Sequence, residues 1–264
     1  MTISISVFLL LLVAVSSDGG HYSYDSNGAD WDGTCATGQS QSPIDLIEPL
    51  SAEEGYGPIR LEYAPTRLFG VEDYDSTYKI SGSFGTLTAV NVDRTGNFTY
   101  SAAQCHFHAP SEHAVGGLLY PLELHIVHVL TSSTSLTNLR FAVLGVLFQE
   151  GAYNPALAQL LNANSTVMDL GALFSGVKDL TGYYMYKGSL TTPPCTEAVN
   201  WHVYGTVLSA SKEQLDFFRS RWEQNQNFAG GKGTNRIVMP LNGRDLLYYS
   251  SALGALLSCL ALLY

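Results

Sequence analysis

Alternating and continuous apolar runs along the chain predict a protein built mainly from β-strands. Residues 122–129 alternate so that Glu123, His125 and Val127 share one face of a strand. Residues 141–148 carry no charge and predict a fully buried strand. Shorter segments complete the pattern: β-rich pieces at 59–63, 78–80, 87–92 and 98–100, and a helical piece at 156–161 that Asn154 and Pro155 open.

Length and charge narrow the class of protein. The chain has 264 residues and a formal net charge of −10. This length is enough for one large domain with a substantial core. The negative charge disfavours nucleic acid and anionic lipid surfaces as partners, because both would repel the protein. We find no internal repeat and no Gly/Pro/Ser linker that would divide the chain, so the sequence predicts one domain.

Three histidines provide the candidate chemistry. His106 and His108 are two residues apart within 104–113, so on a strand both imidazoles leave one face, about 7 Å apart. An antiparallel pairing with 122–129 would bring His125 opposite them. Three neutral imidazoles without a fourth protein ligand are typical of catalytic zinc, which keeps its fourth position for water. Any one of these histidines alone would more often be a hydrogen-bonded core residue, so the prediction depends on the set.

The surrounding motifs resemble the α-class carbonic anhydrases, in their extracellular, disulfide-containing form. The resemblance runs from about Tyr22 to about Tyr249, although Tyr22 stands where the family usually has tryptophan. The matching motifs are His-x-His at 106–108, Ser-Glu-His at 111–113, Glu-Leu-His-Ile-Val-His at 123–128, Gln-Ser-Pro-Ile-Asp at 41–45 and the longer segment 186–197.

This resemblance implies a fold and an activity. The fold would be mainly β, a single domain around a large twisted, mostly antiparallel sheet of about ten strands with peripheral short helices. The activity would be the reversible hydration of carbon dioxide to bicarbonate and a proton, by attack of zinc-bound hydroxide on CO2. Sulfonamides and small anions would inhibit it. The rival is a binding or structural module, since related proteins keep the fold without the zinc ligands; this chain retains all three.

The family pattern also implies roles for single residues. His106, His108 and His125 would bind Zn²⁺. Thr191 would accept a hydrogen bond from the zinc-bound hydroxide and donate its own proton to Glu112, because a carboxylate can only accept. The remaining roles are hydrogen bonding of the ligand imidazoles by Gln104 and Glu123, a carbon dioxide pocket of Val127, Val143, Leu190, Thr192, Val199 and Trp201, a water network reached by Tyr24, and structural hydrogen bonding by His113 and His128.

The cysteines and the group that transfers protons out of the site can also be compared with the family pattern. Cys35 and Cys195 match the positions of the disulfide in extracellular members of the family, whereas we expect Cys105 to be a buried free thiol. Many members transfer protons through a histidine in the region that precedes the first zinc ligands. The best local match here offers Thr86 instead, and residues 56–105 contain no histidine. Proton transfer would then use water, buffer or another group such as His21.

The two ends of the chain suggest export. Residues 1–17 resemble a cleaved signal peptide, which leaves 18–249 as the catalytic domain. The apolar tail at 250–264 is a candidate GPI-attachment signal, so we expect a GPI-anchored protein at the cell surface; a freely secreted form and a membrane span are the alternatives. Asn97 and Asn164 lie in sequons and are glycosylation candidates in an exported protein.

Overall fold

A computed structural model describes residues 22–47, 56–74, 76–132, 136–162 and 167–250. The predicted signal peptide, His21, the sequon at Asn164 and residues 251–264 of the tail lie outside the described residues. Within the described ranges, no helix is both long enough and apolar enough to cross a membrane.

Strands dominate the described chain. They are β1 (Asp45–Leu46), β2 (Ile59–Tyr63), β3 (Thr66–Tyr74), β4 (Thr77–Val90), β5 (Asn97–His108), β6 (Ala114–Val115), β7 (Leu118–Leu119), β8 (Leu122–Leu130), β9 (Phe141–Glu150), β10 (Val167–Met168), β11 (Asp179–Leu180), β12 (Tyr183–Gly188), β13 (Val199–Tyr204), β14 (Leu208–Ala210) and β15 (Leu247–Tyr249). The helices are α1 (Thr34–Thr37), α2 (Pro155–Leu161) and α3 (Lys212–Arg219), with short 3₁₀ helices at Leu170–Phe174 and Ala229–Gly231.

One large sheet organises the molecule. Within the described residues it has 12 strands, and its main path is β10-β3-β4-β5-β8-β9-β13-β12-β15. Most neighbours are antiparallel, but β13 and β14 both run parallel to β9, so the sheet is mixed. A second sheet of three short strands, β1-β6-β7, lies apart from it. The mainly β fold predicted from the sequence is therefore confirmed, with two strands more than the expected ten or so.

The predicted elements are confirmed except around β4 and the end of β5. The two strands predicted at 78–80 and 87–92 are parts of one strand, because β4 runs without a break from 77 to 90. Gly85 makes this possible: its φ of +114° accommodates an irregularity in the pairing with β5, and a Cβ there would lie 2.0 Å from the carbonyl oxygen of Glu62. The strand predicted over 104–113 ends at His108, just before the Ala109–Pro110 peptide.

The two faces of the large sheet bury different cores. The larger core takes in Leu124 and Ile126 from β8, together with residues of α2 and α3. The smaller core takes in Val127 from β8 with apolar residues of β9 and β13. Strand alternation produces this division, because neighbouring side chains on a strand point to opposite faces. The smaller core lies on the same face of β8 as His125.

Two buried histidines belong to the opposite face from His125. His128 is within hydrogen-bond distance of the Tyr63 hydroxyl, at 2.7 Å, and of the Ala142 carbonyl, at 3.1 Å, as its predicted structural role requires. His202 on β13 is fully buried, and neither of its ring nitrogens has a hydrogen-bond partner among the described residues. Burial, with a smaller contribution from His128, lowers the pKa of His202 to about 3.

His202 should make the protein sensitive to acid. An unfolded histidine has a pKa of about 6.5. Since the folded pKa is lower, the unfolded chain binds the proton more readily, and stability is lost as pH falls from about 6.5 towards 3. Between pH 8 and pH 5 we expect the free energy of unfolding to fall by about 2 kcal/mol more in the wild type than in His202→Leu. Urea unfolding at both pH values measures this difference.

Met185→Leu is the matched control, because Met185 is buried and lies opposite His202 in the β12–β13 ladder but does not titrate. It should shift stability equally at pH 5 and pH 8. Parallel pH profiles for the wild type and His202→Leu would contradict the interpretation.

Candidate active site

The three candidate histidines converge on one point. His106 on β5 lies directly opposite His125 on β8, and His108 follows two residues along β5 on the same face. The ring centroids are 5.1 Å apart for His106 and His108, 5.2 Å for His106 and His125, and 4.7 Å for His108 and His125. One nitrogen from each ring lies within 4.8 Å of the others. The pairing expected from the sequence is therefore present.

A fixed partner orients each ring. The pairs are His106 Nδ1 with Gln104 Oε1 at 2.8 Å, His108 Nδ1 with the Thr234 carbonyl oxygen at 2.7 Å, and His125 Nε2 with Glu123 Oε1 at 2.9 Å. Gln104 and Glu123 thus occupy the places predicted for them. These contacts leave His106 Nε2, His108 Nε2 and His125 Nδ1 as the nitrogens available to a ligand.

This cluster fits a metal ion that prefers neutral nitrogen ligands. His108 Nε2 is buried and has no hydrogen-bond partner among the described residues. Burial comes first among the causes that lower the pKa of His106 and of His108, so both rings are neutral at physiological pH. Burial alone would lower the pKa of His125, but Glu123 outweighs it and raises the pKa, so this ring would bind a metal by giving up its Nδ1 proton. Three imidazoles directed at one point are the donor set of a catalytic zinc site. A second possible cluster, of His113, Glu123 and His125, is less suited because its members already hydrogen-bond one another.

Glu123 is a fully buried carboxylate that orders this region. Its Oε1 atom accepts from His125 Nε2 and from His113 Nδ1, at 2.7 Å, and its Oε2 atom accepts from the backbone N–H groups of Glu112 and His113 at 2.8 and 2.9 Å. Burial alone would raise the pKa of Glu123, but His113 and His125 outweigh it and hold the pKa well below its usual range. Gly145 leaves room for the carboxylate, since a Cβ there would lie 3.0 Å from Oε1.

Glu112 lies beside the histidines. Its Oε1 atom accepts a hydrogen bond from the backbone N–H of Arg236 at 2.9 Å. Its Oε2 atom lies 3.5 Å from His108 Nε2 and 3.9 Å from His125 Nδ1, and it has no hydrogen-bond partner among the described residues. Thr191 is buried, but the hydrogen bond expected from it to Glu112 is not formed in this structure. The second oxygen of Glu112 turns towards the imidazoles instead.

A disulfide and a buried arginine hold the loop that carries Thr191. Cys35 and Cys195 are bonded, as the resemblance implies, and Cys105 is a buried free thiol. A structural disulfide is typical of proteins in an oxidising compartment. Arg236 donates to the carbonyl oxygen of Cys35, to Gln41 Oε1 and to the carbonyl oxygen of Ser42 at 2.7–2.9 Å. The same arginine whose N–H holds Glu112 therefore also holds the disulfide-linked segment.

Four apolar residues of the predicted carbon dioxide pocket are buried together in the smaller core, and a fifth packs against it. Val127, Val143 and Trp201 lie side by side on β8, β9 and β13, in the ladder row next to that of His125. Val199 is buried in the same core, and Leu190 packs against it. Thr192 is partly buried in the loop after Leu190. Val127, Val143 and Trp201 therefore lie on the same face of the sheet as the three histidines.

Tyr24 is buried close to Glu112. Burial, and then the negative charge of Glu112, raises the pKa of Tyr24 well above its usual value. A cavity of about 560 Å³ opens next to Tyr24, and none of the three histidines lines it. Its walls are residues 22–25, 73, 74, 76 and 227–229. Whether Tyr24 takes part in a water network stays a prediction.

Thr86, which matches the position of the family's proton-transferring histidine, lies further along the sheet than His106. Thr86 pairs with Ser101, five residues before His106 on β5, which puts it roughly 17 Å along the strand. Lys79 is the residue of β4 that lies opposite His106. The irregular pairing of β4 with β5 contributes to this position, and a local match to the family pattern cannot reveal how far such a strand is displaced. That proton transfer uses water, buffer or another group stays a prediction.

Sequence reasoning also missed residues that the structure brings to the histidines. Lys79 and its ion-pair partner Glu72 join the row of His106, and Arg236 and Thr234 reach the site from a distant loop. Lys79 lay within a predicted strand, so knowledge of the β4–β5 register would have identified it. Thr234 contributes a backbone carbonyl to His108, and a backbone contact leaves no signal in residue type.

Fold and site together define a mainly β protein with a largely buried centre of three histidines. A family model described as eukaryotic-type carbonic anhydrase matches residues 26–250. A carbonic anhydrase of Pectobacterium carotovorum is 31% identical over 262 residues, covering 92% of this chain and 98% of that protein. Alpha carbonic anhydrase 4 of Arabidopsis thaliana is 35% identical over 227 residues, covering 81% of this chain and 77% of that protein.

A solved structure agrees with these sequence relatives. The α-carbonic anhydrase of Thermovibrio ammonificans, in complex with the inhibitor sulfanilamide, superposes with a TM-score of 0.69 at 31% identity, covering 87% of this chain and 99% of that one. The chain belongs to the eukaryotic-type, or α, carbonic anhydrase family. It is accordingly a carbonic anhydrase enzyme, a lyase that hydrates carbon dioxide.

Glu123→Gln should destabilise the fold. Each carboxylate oxygen accepts two N–H groups, so the amide nitrogen of glutamine would face two donors in either orientation. We expect the free energy of unfolding to drop by about 3 kcal/mol, because buried donors lose their acceptor. Urea denaturation measures it. Glu150→Gln, at an exposed position at the end of β9, is the control and should change stability by less than about 0.5 kcal/mol. Equal stability of both variants would contradict the prediction.

Proposed function

We propose that this enzyme carries out the reversible hydration of carbon dioxide with a zinc ion held by His106, His108 and His125. The observation that supports it best is the convergence of three ring nitrogens whose opposite nitrogens are all hydrogen-bonded, with His108 Nε2 buried and unpartnered. Zinc, when bound, makes a water molecule acidic enough to act as a nucleophile near neutral pH. The products are bicarbonate and a proton.

Thr191 and Glu112 would fix the direction of the nucleophile. The backbone N–H of Arg236 occupies one oxygen of Glu112, which leaves the other as an acceptor in a dry environment. A carboxylate offers only lone pairs, so a hydroxyl group that approaches it must donate its proton. Thr191 bound in this way would present its own lone pair towards the histidines. It would therefore select a nucleophile that still carries a hydrogen atom and would orient it.

The apolar surface of Val127, Val143 and Trp201 suits a small uncharged substrate. Carbon dioxide needs no hydrogen bond in order to leave water for such a surface, and the surface lies beside the histidines. The same arrangement should accept the inhibitors expected from the resemblance, sulfonamides and small anions. The Thermovibrio ammonificans relative was solved with a sulfonamide, which supports this expectation.

We also propose that the enzyme is exported. The disulfide supports an oxidising compartment. Asn97, one of the two glycosylation candidates, is exposed at the start of β5, where an oligosaccharide would meet no steric barrier from the core. GPI attachment through the tail at 250–264 belongs to this proposal, and it rests on the sequence pattern alone.

Zinc content and activity test the proposal together. Purified wild type should contain close to one zinc per chain, by elemental analysis, and should hydrate carbon dioxide in stopped-flow assays. His106→Ala, His108→Ala and His125→Ala should each lose most of the metal and the activity, since two imidazoles no longer complete the donor set. Thr191→Ala should keep its zinc but lose about 100-fold in kcat/KM, because only the orientation of the nucleophile is affected.

His202→Leu is the matched control, because it removes a buried histidine on the opposite face of the sheet from the cluster. It should retain both zinc and activity at neutral pH. A natively folded wild type without stoichiometric zinc would contradict the proposed metal centre and would favour the binding-module alternative.

A further inference from the structure

Two charged residues continue the row of candidate zinc ligands across the sheet. In register, His125 on β8 pairs with His106 on β5, His106 pairs with Lys79 on β4, and Lys79 pairs with Glu72 on β3. Directly opposite residues of antiparallel strands lie on the same face with their Cβ atoms about 5 Å apart. Lys79 is therefore the neighbour of His106 on the side away from His125.

The side of the histidine cluster on which Lys79 lies is the one that opens to solvent. His106 is half-buried, whereas His108 and His125 are 3% and 1% exposed. The side chains of Lys79 and Glu72 are 32% and 41% exposed. On the other side, His125 borders the buried surface of Val127 and Trp201. The site thus has an apolar side that suits carbon dioxide and an accessible side that carries a cation.

The cation is exchangeable. Lys79 Nζ lies 2.8 Å from Glu72 Oε1, and this ion pair is partly in water. Ion pairs of this kind contribute little to stability, because water and salt screen them. A competing anion held close to Lys79 by another contact could therefore replace Glu72 at small cost. Lysine suits such a role, since its ammonium group sits on a flexible stem and has three donors.

We propose that Lys79 is a second binding point in the active site, which binds the anionic substituent of a ligand whose other end is held at the histidine cluster. The ligand class is small organic molecules with a carboxylate or sulfonate in addition to a zinc-binding group. Glu72 competes with the ligand for Lys79 and so weakens the binding. The inference rests on the proposed zinc centre, since zinc would hold the first end of the ligand. Carbon dioxide carries no charge and gains nothing from this contact.

Matched sulfonamide probes test the inference on the full, zinc-loaded protein. The probes are 3- and 4-sulfamoylbenzoate, each compared with its uncharged carboxamide, and calorimetry measures the dissociation constants at low salt. The wild type should bind at least one carboxylate probe about fivefold more tightly than its carboxamide. Lys79→Gln should abolish this preference, and Lys79→Arg should keep most of it because the charge remains. Glu72→Gln should increase it, since the competing carboxylate is gone.

The experiment distinguishes failure of the Lys79 contact from failure of the zinc centre. Affinity for the carboxamide probes reports whether the metal site of each variant is intact. Tight carboxamide binding without a preference for the carboxylate in the wild type, or a preference that survives Lys79→Gln, would overturn the role of Lys79 alone. Failure of every probe to bind the wild type would overturn the zinc centre and, with it, the inference. Loss of the preference in 0.5 M salt would support it, because the contact is partly exposed.

Discussion

The register between β5 and β8 is the constraint on which the site depends. It sets His106 directly opposite His125 and Gln104 opposite Val127, so that ligands and apolar surface occupy neighbouring rows of one face. A slip of one residue would turn every side chain of the moved strand to the other face. The register is well determined, because each strand also buries a set of apolar residues on the opposite face, in the larger core. Folding and formation of the site are therefore the same event.

Two buried acidic residues with different environments complete the centre. Glu123 accepts four hydrogen bonds, so its carboxylate is held in one orientation and fixes His125 and His113 in turn. Glu112 has one fixed oxygen and one without a partner, beside the histidines. A fully satisfied carboxylate acts as scaffold, whereas an acceptor left open in a buried site is available to a hydroxyl group or a ligand. The structure thus separates a supporting role from a reactive one.

Much of this centre could be predicted from the sequence, because the patterns that place its residues are local. Strands β8 and β9 carry their alternation or apolar run locally, and the spacing of His106 and His108 places both on one face. What could not be predicted is non-local. The position of Thr86 depended on an irregular pairing of β4, and Lys79 and Glu72 gained significance only through the register with His106. The parallel pairing of β13 with β9 and the backbone contact of Thr234 likewise leave no trace in residue type.

The central claim is that these three histidine nitrogens bind one zinc ion. X-ray absorption at the zinc edge of the purified wild type tests it most directly, because the spectrum counts and identifies the atoms around the metal. We expect three nitrogen ligands at about 2.0–2.1 Å, with the multiple-scattering signature of imidazole, and one further light ligand. Sulfur in the coordination shell, or fewer than three imidazoles around the zinc, would contradict the account.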